Sequence, residues 1–322
     1  MTGLSADPWT PVDVTDWEFL GVEQAGTNRS SWLRNPADGT IWLHKSTRMP
    51  STGIEEGQDW AEVVATQVGR LLGVPGATTR LCTKEGRRGS LSLSMKPEGH
   101  DLIQGWVVLL GAGVPGYVPH AGRGEPVDAN RPHVKRPGHN LVNIRDALAN
   151  VASPDGFIGS GAFSGFDVFV GYTIFDALVA NRDRHDENWA VLRPQLLGGT
   201  DRLAPSYDHG GSLGFNLSPR ERRRRLSDPL ALSAWVRKGT AHRFEHVPPP
   251  PSLVDHAAAG VSMCRPEAAA WWRGRLTNMD LTALTTRLEH GVPGMSEAAT
   301  TFTGKLLDLN LRRLQDAICI GS

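Results

Sequence analysis

The sequence predicts an α+β protein of two lobes, in which a small β-rich lobe precedes a larger helical lobe. Three observations support this prediction. Segments with strand-like composition dominate the first part of the chain, segments with helical spacing dominate the second, and a polar stretch interrupts the second part. We therefore divide the chain into an N-lobe of residues 1–97 and a C-lobe of residues 98–322.

Composition and charge indicate a globular protein and argue against several other classes. The 322 residues suffice for two lobes with a core, and the apolar share of 39% is ordinary for a folded chain. The formal net charge is zero, so no overall field favours nucleic acid or an anionic membrane as a partner. The cysteines stand far apart, which predicts neither a zinc site nor a disulfide framework: Cys82, Cys264 and Cys319.

The chain shows no targeting or membrane signal. Its start lacks a basic segment followed by an apolar run, and no stretch approaches the roughly 18 apolar residues of a membrane-spanning helix. We therefore expect a cytoplasmic protein without a membrane span. The polar residues 1–16 predict a loose arm.

Residues 17–45 predict three strands around a small polar loop. Residues 17–22 have strand composition, and the next two strands flank the turn Asn-Pro-Ala-Asp-Gly. Small residues after the first strand would let backbone N–H groups approach phosphate oxygens, although an ordinary hairpin turn is the alternative. This candidate phosphate-covering loop consists of Gly26, Thr27, Asn28, Arg29 and Ser30.

An amphipathic helix and two further strands complete the N-lobe. Apolar residues recur at helical spacing over residues 58–72, and Gly73 then ends the helix. Residues 77–82 predict a strand, and residues 90–95 alternate as a half-buried strand does. The Lys-Pro-Glu-Gly that follows predicts a hinge between the lobes.

The patterns that predict helices and strands are weakest over residues 97–160. Residues 101–111 are a short apolar segment that predicts a helix, and residues 143–151 predict another. Residues 111–139 are rich in Gly, Pro and His, which predicts an insertion that could face a substrate. The spacing of its histidines matches no metal motif: His120, His133 and His139.

A polar stretch over residues 180–214 carries the chemistry. Helical spacing before it and a strand pattern after Asn188 place Asp183 and Asn188 in one loop, and Asp208 follows a second short strand. Phosphoryl transfer to a hydroxyl needs these residue types. An Asp orients and deprotonates the hydroxyl, while Asn and Asp oxygens hold Mg²⁺. A solvated polar hairpin is the alternative.

This stretch also resembles a known family. Asn-Arg-Asp-Arg-His-Asp-Glu-Asn-Trp, followed by Tyr-Asp-His-Gly-Gly-Ser-Leu-Gly, is similar to the HipA-like kinases. The pattern Asp-Arg-His-x-x-Asn is more distantly similar to phosphatidylinositol kinases. The resemblance implies a protein-kinase-like bilobal fold, with Asp183 as the catalytic residue and Asn188 and Asp208 as magnesium ligands. It is specific over residues 180–217 and weaker over residues 21–95.

A kinase interpretation gives roles to four N-lobe residues. Lys45 ends a strand after a glycine-containing hairpin, where kinases place the lysine that binds the ATP phosphates; a solvated edge residue is the alternative. Glu62 on the amphipathic helix is the candidate that holds this lysine. Leu93 and Met95 at the hinge would lie near the adenine ring, with core packing as the alternative.

Basic residues follow Asp208. Arg220 and the run Arg222 to Arg225 stand where kinases have their activation segment. A solvated face, binding of an acidic or phosphorylated substrate, and a response to phosphorylation of Ser218 or Ser227 are all open. Three helical patterns follow, at residues 230–236, 266–276 and 302–318.

The sequence thus predicts an ATP- and Mg²⁺-dependent kinase. The resemblance implies Ser or Thr of a protein or peptide as the acceptor. A small-molecule phosphotransferase and a nucleotide-binding pseudokinase are the alternatives. Some HipA-like kinases act as toxins, and this chain is short for the full-length toxin, which has an additional N-terminal subdomain. A toxin role and an antitoxin partner therefore stay open.

Overall fold

The computed structural model describes residues 7–23, 30–51, 53, 55–119 and 128–320, and it confirms the predicted two-lobed α+β architecture. The N-lobe elements are β1 (Val12–Asp13), β2 (Glu18–Val22), β3 (Ser31–Arg34), β4 (Ile41–Ser46), α1 (Gln58–Leu72), β5 (Thr79–Lys84) and β6 (Arg87–Leu93). Within the described residues these strands form one sheet in the order β1-β5-β6-β4-β3-β2. Only the pair β1–β5 is parallel among them.

Helix α1 has the bounds that its apolar spacing predicts. Its buried face includes Trp60, Val64 and Val68, and Gly73 ends it in the left-handed conformation with φ of 90°. The loose-arm prediction is wrong in part, because Val12 of β1 pairs with Cys82 of β5. That pairing satisfies backbone groups that an arm would leave to water.

The C-lobe is mainly helical. Its elements are β7 (His100–Gln104), α2 (Gly105–Gly111), α3 (Leu141–Ala147), α4 (Gly165–Val179), β8 (Ala190–Pro194), β9 (Arg202–Leu203), α5 (Pro219–Leu226), α6 (Pro229–Arg237), α7 (Leu253–Met263), α8 (Pro266–Thr277), α9 (Thr282–Glu289) and α10 (Glu297–Gln315). A π-helical turn over Asp316–Ile320 follows α10. Strands β7, β8 and β9 form a small antiparallel sheet in that order.

Helix α4 is the centre of the C-lobe, because every one of its residues is buried. A helix that is apolar on all sides needs partners on all sides, and α1, α7, α8, α10 and β9 pack around this one. Ser164 and Asp167 cap its N-terminus reciprocally, so its start is fixed at one residue. The loop that follows α4 is therefore attached to the most buried element of the chain.

The prediction of one helix over residues 101–111 is wrong in its first half. Residues 100–104 form β7 instead, because their backbone pairs with β8, with Leu102 opposite Leu192.

The basic run forms helix α5. Two features initiate this helix: a reciprocal cap between Ser218 and Glu221, and a proline in the first turn. Among the described residues, no helix combines the length and apolar character needed to cross a bilayer.

Candidate active site

The loop after α4 is held by a buried cation. Arg184 is 2% exposed and donates two hydrogen bonds of 2.8 Å to the Asp176 carboxylate on α4. The same guanidinium donates to the Asn188 carbonyl at 2.7 Å and to Ser206 Oγ at 2.9 Å. Arg184 thus joins α4, the loop and the segment after β9. A planar guanidinium suits this role because it offers five donors in fixed directions.

Asp183 and Asn188 face each other across this loop. Asn188 is buried, and its Nδ2 donates to the Asp183 carbonyl at 2.8 Å. That contact uses the amide nitrogen and leaves Oδ1 as the atom that can bind a cation. The Asp183 carboxylate is 45% exposed, with Arg243 Nη2 at 2.6 Å from Oδ1 and His185 Nε2 at 3.9 Å from Oδ2. The Asp183 carboxylate is therefore open to solvent, whereas the Asn188 side chain is buried.

Asp208 has an unusual backbone and a direct cationic partner. Its φ is 60°, a left-handed value that costs energy for a residue with a side chain. Lys45 Nζ, which is 163 positions away in sequence, donates to Asp208 Oδ1 at 2.7 Å. The sheet of the N-lobe and the loop of the C-lobe thus meet at this ion pair. Both side chains keep some exposure, 26% for Lys45 and 39% for Asp208.

Lys45 and Asp208 each shift the pKa of the other side chain. Burial alone would lower the pKa of Lys45, but the carboxylates of Asp208 and Glu62 outweigh it and raise that pKa. Burial would likewise raise the pKa of Asp208, but Lys45 outweighs it and holds that pKa below its ordinary value. Lys45 is therefore a cation and Asp208 an anion at neutral pH. A carboxylate in this state is ready to bind a hard metal ion.

Glu62 lies at the site, but it does not make the expected ion pair. Within the described residues Lys45 pairs with Asp208, whereas the nearest cation-forming group to Glu62 is His209, with Nδ1 at 3.5 Å from Oε1. The backbone N–H groups of His209 and Gly210 also face its carboxylate. Burial, and then the charge of Asp208, raise the pKa of Glu62 to about 7. Glu62 therefore holds the loop after Asp208 more directly than it holds the lysine.

Two residues at the ends of the candidate phosphate loop, Glu23 and Ser30, are described by the structure. Gly26, Thr27, Asn28 and Arg29 are outside the described residues. Glu23 N–H donates to the Ser30 carbonyl at 2.9 Å, which closes the hairpin. Burial raises the pKa of Glu23, while Lys45 and Asp208 both act on it through their charges.

Of the two predicted hinge residues, Leu93 is the last residue of β6 and Met95 follows that strand. Leu93 pairs with Trp42 in the sheet and packs against a small N-lobe cluster that includes Leu33 and Leu91. This contact supports the core-packing alternative for Leu93. Met95 is half-buried in the segment between β6 and β7, which joins the two lobes.

The predicted insertion meets the catalytic loop on one side. Tyr117 donates a hydrogen bond to the Asp186 carboxylate, and Trp189 Nε1 donates to His139 Nε2 at 3.2 Å. His139 Nδ1 lies 2.8 Å from the Arg243 carbonyl, and the Arg243 guanidinium contacts Asp183. The described part of the insertion therefore helps to place a cation at the candidate catalytic residue.

The basic run divides into buried and exposed members. Arg222 is buried, donates to the Gly214 carbonyl at 2.9 Å and lies over the Trp60 ring at 5.5 Å. It therefore anchors α5 to the loop after Asp208. Arg220, Arg223 and Arg224 are exposed, so they form a solvated face.

Sequence reasoning missed four residues of this site. His185 and His209 stand inside the two motifs, so their positions beside Asp183 and Asp208 were the available signal. Glu23 precedes the glycine-containing loop directly, which was a weaker signal. For Arg243 the sequence offers none, because only the tertiary fold brings it to Asp183.

Two solved structures have the architecture described above. The proinflammatory kinase CtkA of Helicobacter pylori matches with a TM-score of 0.68 at 16% identity, over 97% of this chain and 100% of CtkA. The chain therefore has a kinase-like fold.

HipA of Shewanella oneidensis, solved with HipB and operator DNA as a toxin–antitoxin system, matches with a TM-score of 0.54 at 11% identity. The match covers 93% of this chain and 66% of the HipA chain. No protein-family model matches the sequence, and neither does any curated protein. The likeness to CtkA and HipA is therefore one of fold, and at that level it confirms the predicted resemblance to the HipA-like kinases. The assignment of the candidate site residues depends on the distances and hydrogen bonds given above.

Proposed function

We propose that this protein is a kinase that transfers the γ-phosphate of ATP to a hydroxyl group, in a reaction that depends on Mg²⁺. The observation that carries the proposal is the meeting of Lys45 with Asp208, beside the loop that holds Asp183 and Asn188. A distant N-lobe strand supplies a cation, and two neighbouring C-lobe segments supply two hard oxygen ligands and a carboxylate. The kinase-like fold supports the same conclusion.

The residues present fit a magnesium ion that also binds phosphates. Asp208 offers an ionised carboxylate, and Asn188 offers Oδ1 because its nitrogen is engaged by the Asp183 carbonyl. In the described part of the chain, no group of three or more His, Cys, Asp or Glu side chains forms a metal site of protein ligands alone. Magnesium is commonly held by one or two protein ligands together with substrate phosphates.

The chain's own residues divide the work of transfer. Bound Mg·ATP supplies the transferable phosphoryl group and a cation that neutralises phosphate charge. Lys45 binds phosphate oxygens with its positive charge. Asp183 orients the acceptor hydroxyl and takes its proton as the oxygen bonds to phosphorus and ADP leaves. These groups act by position and charge, so their placement decides the rate.

The acceptor that suits this site best is a Ser or Thr side chain of a protein or peptide. Asp183 is nearly half exposed, and the neighbouring Arg182 is exposed as well. A hydroxyl on an extended segment can reach such a carboxylate from the surface. A small-molecule acceptor would more commonly be enclosed by a concave pocket.

One alternative loses support from the geometry. A nucleotide-binding pseudokinase would be favoured by a Lys45 side chain turned away from Asp208. The observed distance of 2.7 Å between Lys45 Nζ and Asp208 Oδ1 supports the kinase proposal over this alternative.

The experiment is transfer from γ-labelled ATP in the presence of Mg²⁺. The acceptors are a mixed library of Ser- and Thr-containing peptides and, separately, a small-molecule extract from cells. The matched control is Asp183→Asn, which keeps the size of the side chain and removes the base. We expect labelled peptides with the native protein and none with the variant. Label in the small-molecule fraction alone would move the assignment to a small-molecule phosphotransferase. Absence of transfer to any acceptor, with nucleotide bound, would contradict the kinase assignment.

A further inference from the structure

The turn that carries Asp208 is closed by one side-chain contact between the residues on its two sides. Ser206 Oγ and His209 Nε2 lie 2.8 Å apart, so residues 206 and 209 bracket the left-handed Asp208. Both bracketing residues are buried, with His209 1% exposed. A strained conformation persists only where its surroundings fix it, and this contact is one such constraint.

The other side of the His209 ring faces the N-lobe. His209 Nδ1 lies 3.5 Å from Glu62 Oε1, and within the described residues neither of these buried atoms makes a hydrogen bond, so each is the other's polar neighbour. The His209 ring also stands edge-on to Phe175 of α4, with 4.9 Å between ring centroids. The imidazole is thus enclosed by three elements: α1, α4 and the turn itself.

The contacts of Ser206 are compatible with one tautomer of the His209 ring in particular. Arg184 Nη2 donates to Ser206 Oγ, so the Ser206 hydroxyl proton is free to point at His209 Nε2. When the Ser206 hydroxyl donates to Nε2, the ring proton is on Nδ1, where it faces the Glu62 carboxylate.

We propose that His209 is a positioning residue that couples Glu62 of the N-lobe to Ser206 of the C-lobe. Asp208 lies between Ser206 and His209 in the chain, so these contacts hold the backbone conformation in which its carboxylate would bind the metal. The inference rests on the proposed function, because that function makes Asp208 a metal ligand. It adds that α1 acts on the metal site through His209, whereas Lys45 is engaged by Asp208 itself.

Space next to the turn supports this coupling. A Cβ atom added at Gly210 would lie 3.3 Å from Glu62 Oε2 and 3.2 Å from the Gln58 carbonyl. The backbone after His209 therefore approaches α1 too closely for a larger residue without adjustment. The close approach and the imidazole contact fix the same turn against the same helix.

The first test uses metal-dependent binding, with ADP as the probe. Affinity for ADP is measured by calorimetry with and without Mg²⁺ for the native protein, His209→Phe, His209→Asn and His209→Gln. Asn retains a donor near Nδ1 and Gln retains a polar group near Nε2, so the pair separates the two contacts. We expect His209→Phe to weaken Mg·ADP binding about tenfold or more, as loss of a residue that orients a metal ligand does. Metal-free ADP binding should change little, and one or both amides should restore part of the loss.

Two outcomes of this test would overturn the inference. One is an equal loss of affinity for Mg·ADP and metal-free ADP, which would mean general damage. The other is unchanged Mg·ADP affinity in all three variants, even if the melting temperature falls. A native protein that binds Mg·ADP without transferring phosphate would contradict the proposed function and leave this inference standing.

The second test needs no nucleotide. Glu62→Gln and Ser206→Ala are made singly and together, and unfolding is measured in urea. The two side chains act on opposite nitrogens of one ring, so we expect their effects to be non-additive with His209 present and additive with His209→Phe. Additive effects in the native background would contradict the coupling. If His209→Phe does not fold, the same cycle in His209→Asn and His209→Gln decides between the two outcomes.

Discussion

The two halves of the candidate active site are held in different ways. Asp183 and Asn188 rest on Arg184 and Asp176, which are buried together and joined by two hydrogen bonds of 2.8 Å. Lys45 instead stands on a sheet strand with part of its side chain exposed, and it reaches the C-lobe through the contact with Asp208. The C-lobe half is fixed by the folded core, whereas the N-lobe half is joined to it by a contact that a ligand can replace.

This difference suits a reaction that depends on placement. Residues that direct the acceptor and the metal must not move, so a buried network that is costly to break supports them. The lysine must exchange Asp208 for phosphate oxygens when nucleotide binds, so a partly solvated pair is sufficient. We therefore expect changes in the C-lobe network to affect stability and changes at the lysine to affect activity.

The largest effect on stability should come from Arg184→Leu. This change leaves Asp176 buried without its partner, and loss of one member of a buried pair costs about 3–5 kcal/mol of unfolding free energy. Urea unfolding measures it. The matched control is Arg193→Leu, which removes a pair to Asp201 with the same 2.8 Å contact at a side chain that is 53% exposed. We expect the control to cost about 0–1 kcal/mol, and equal costs for both would refute the contrast between the two halves.

The next effect should come from Lys45→Met, which keeps the length of the side chain and removes its charge. We expect kcat/KM for ATP to fall by about 10²–10³, the range seen when one group that stabilises developing charge is lost. The unfolding free energy should change by under about 1 kcal/mol, because the pair is partly exposed. Lys96→Met is the control, since that lysine is exposed and lies at the hinge. Loss of stability without loss of activity at Lys45 would reverse our account of this half.

The smallest effect concerns acid stability and compares a buried histidine in each lobe. Burial, with the charge of His139, lowers the pKa of His256 to about 3, and burial, with Lys84, lowers that of His44 to about 4. Below the unfolded value of about 6.5, the unfolded chain binds a proton that the folded chain does not. Unfolding therefore becomes easier as pH falls, by at most about 1.4 kcal/mol per pH unit for each residue.

Replacing His256 with Phe should remove one proton from this acid response. We expect a shallower fall of unfolding free energy between pH 6 and pH 4 than in the native protein, with no change in slope above pH 7. The corresponding change at His44 should have a smaller effect near pH 4, because its pKa is lowered less. An unaltered slope in both variants would show that the pKa of neither histidine is lowered by folding.

The sequence predicted some parts of the fold and of the candidate site better than others, and local pattern accounts for the parts it predicted. Asp183, Asn188 and Asp208 stand in short motifs beside strongly apolar segments, so their loops and flanking elements were predictable from local pattern. Helix α1 was predictable to its bounds because its apolar face is regular and Gly73 ends it. Local signals of this kind depend on few residues.

The contacts that join distant segments were not predictable. Arg243 reaches Asp183 only because the segment between α6 and α7 folds back over the catalytic loop. The preference of Glu62 for His209 over Lys45 depends on the left-handed turn at Asp208, which no residue type there requires. Strand β7 was missed for a similar reason, because its partner β8 is more than 80 residues away.

Two measurements together test the central claim most directly. One is the calorimetric affinity for the magnesium complex of an ATP analogue, and the other is the rate of phosphate transfer from ATP. Both are made on the native protein, Asp183→Ala and Asp208→Ala. We predict that Asp183→Ala binds the Mg-nucleotide as the native protein does and transfers no phosphate. We predict that Asp208→Ala loses both the magnesium dependence of binding and transfer. If Asp183→Ala transfers phosphate at the native rate, or if Asp208→Ala keeps magnesium-dependent binding, the assignment of these two carboxylates is wrong.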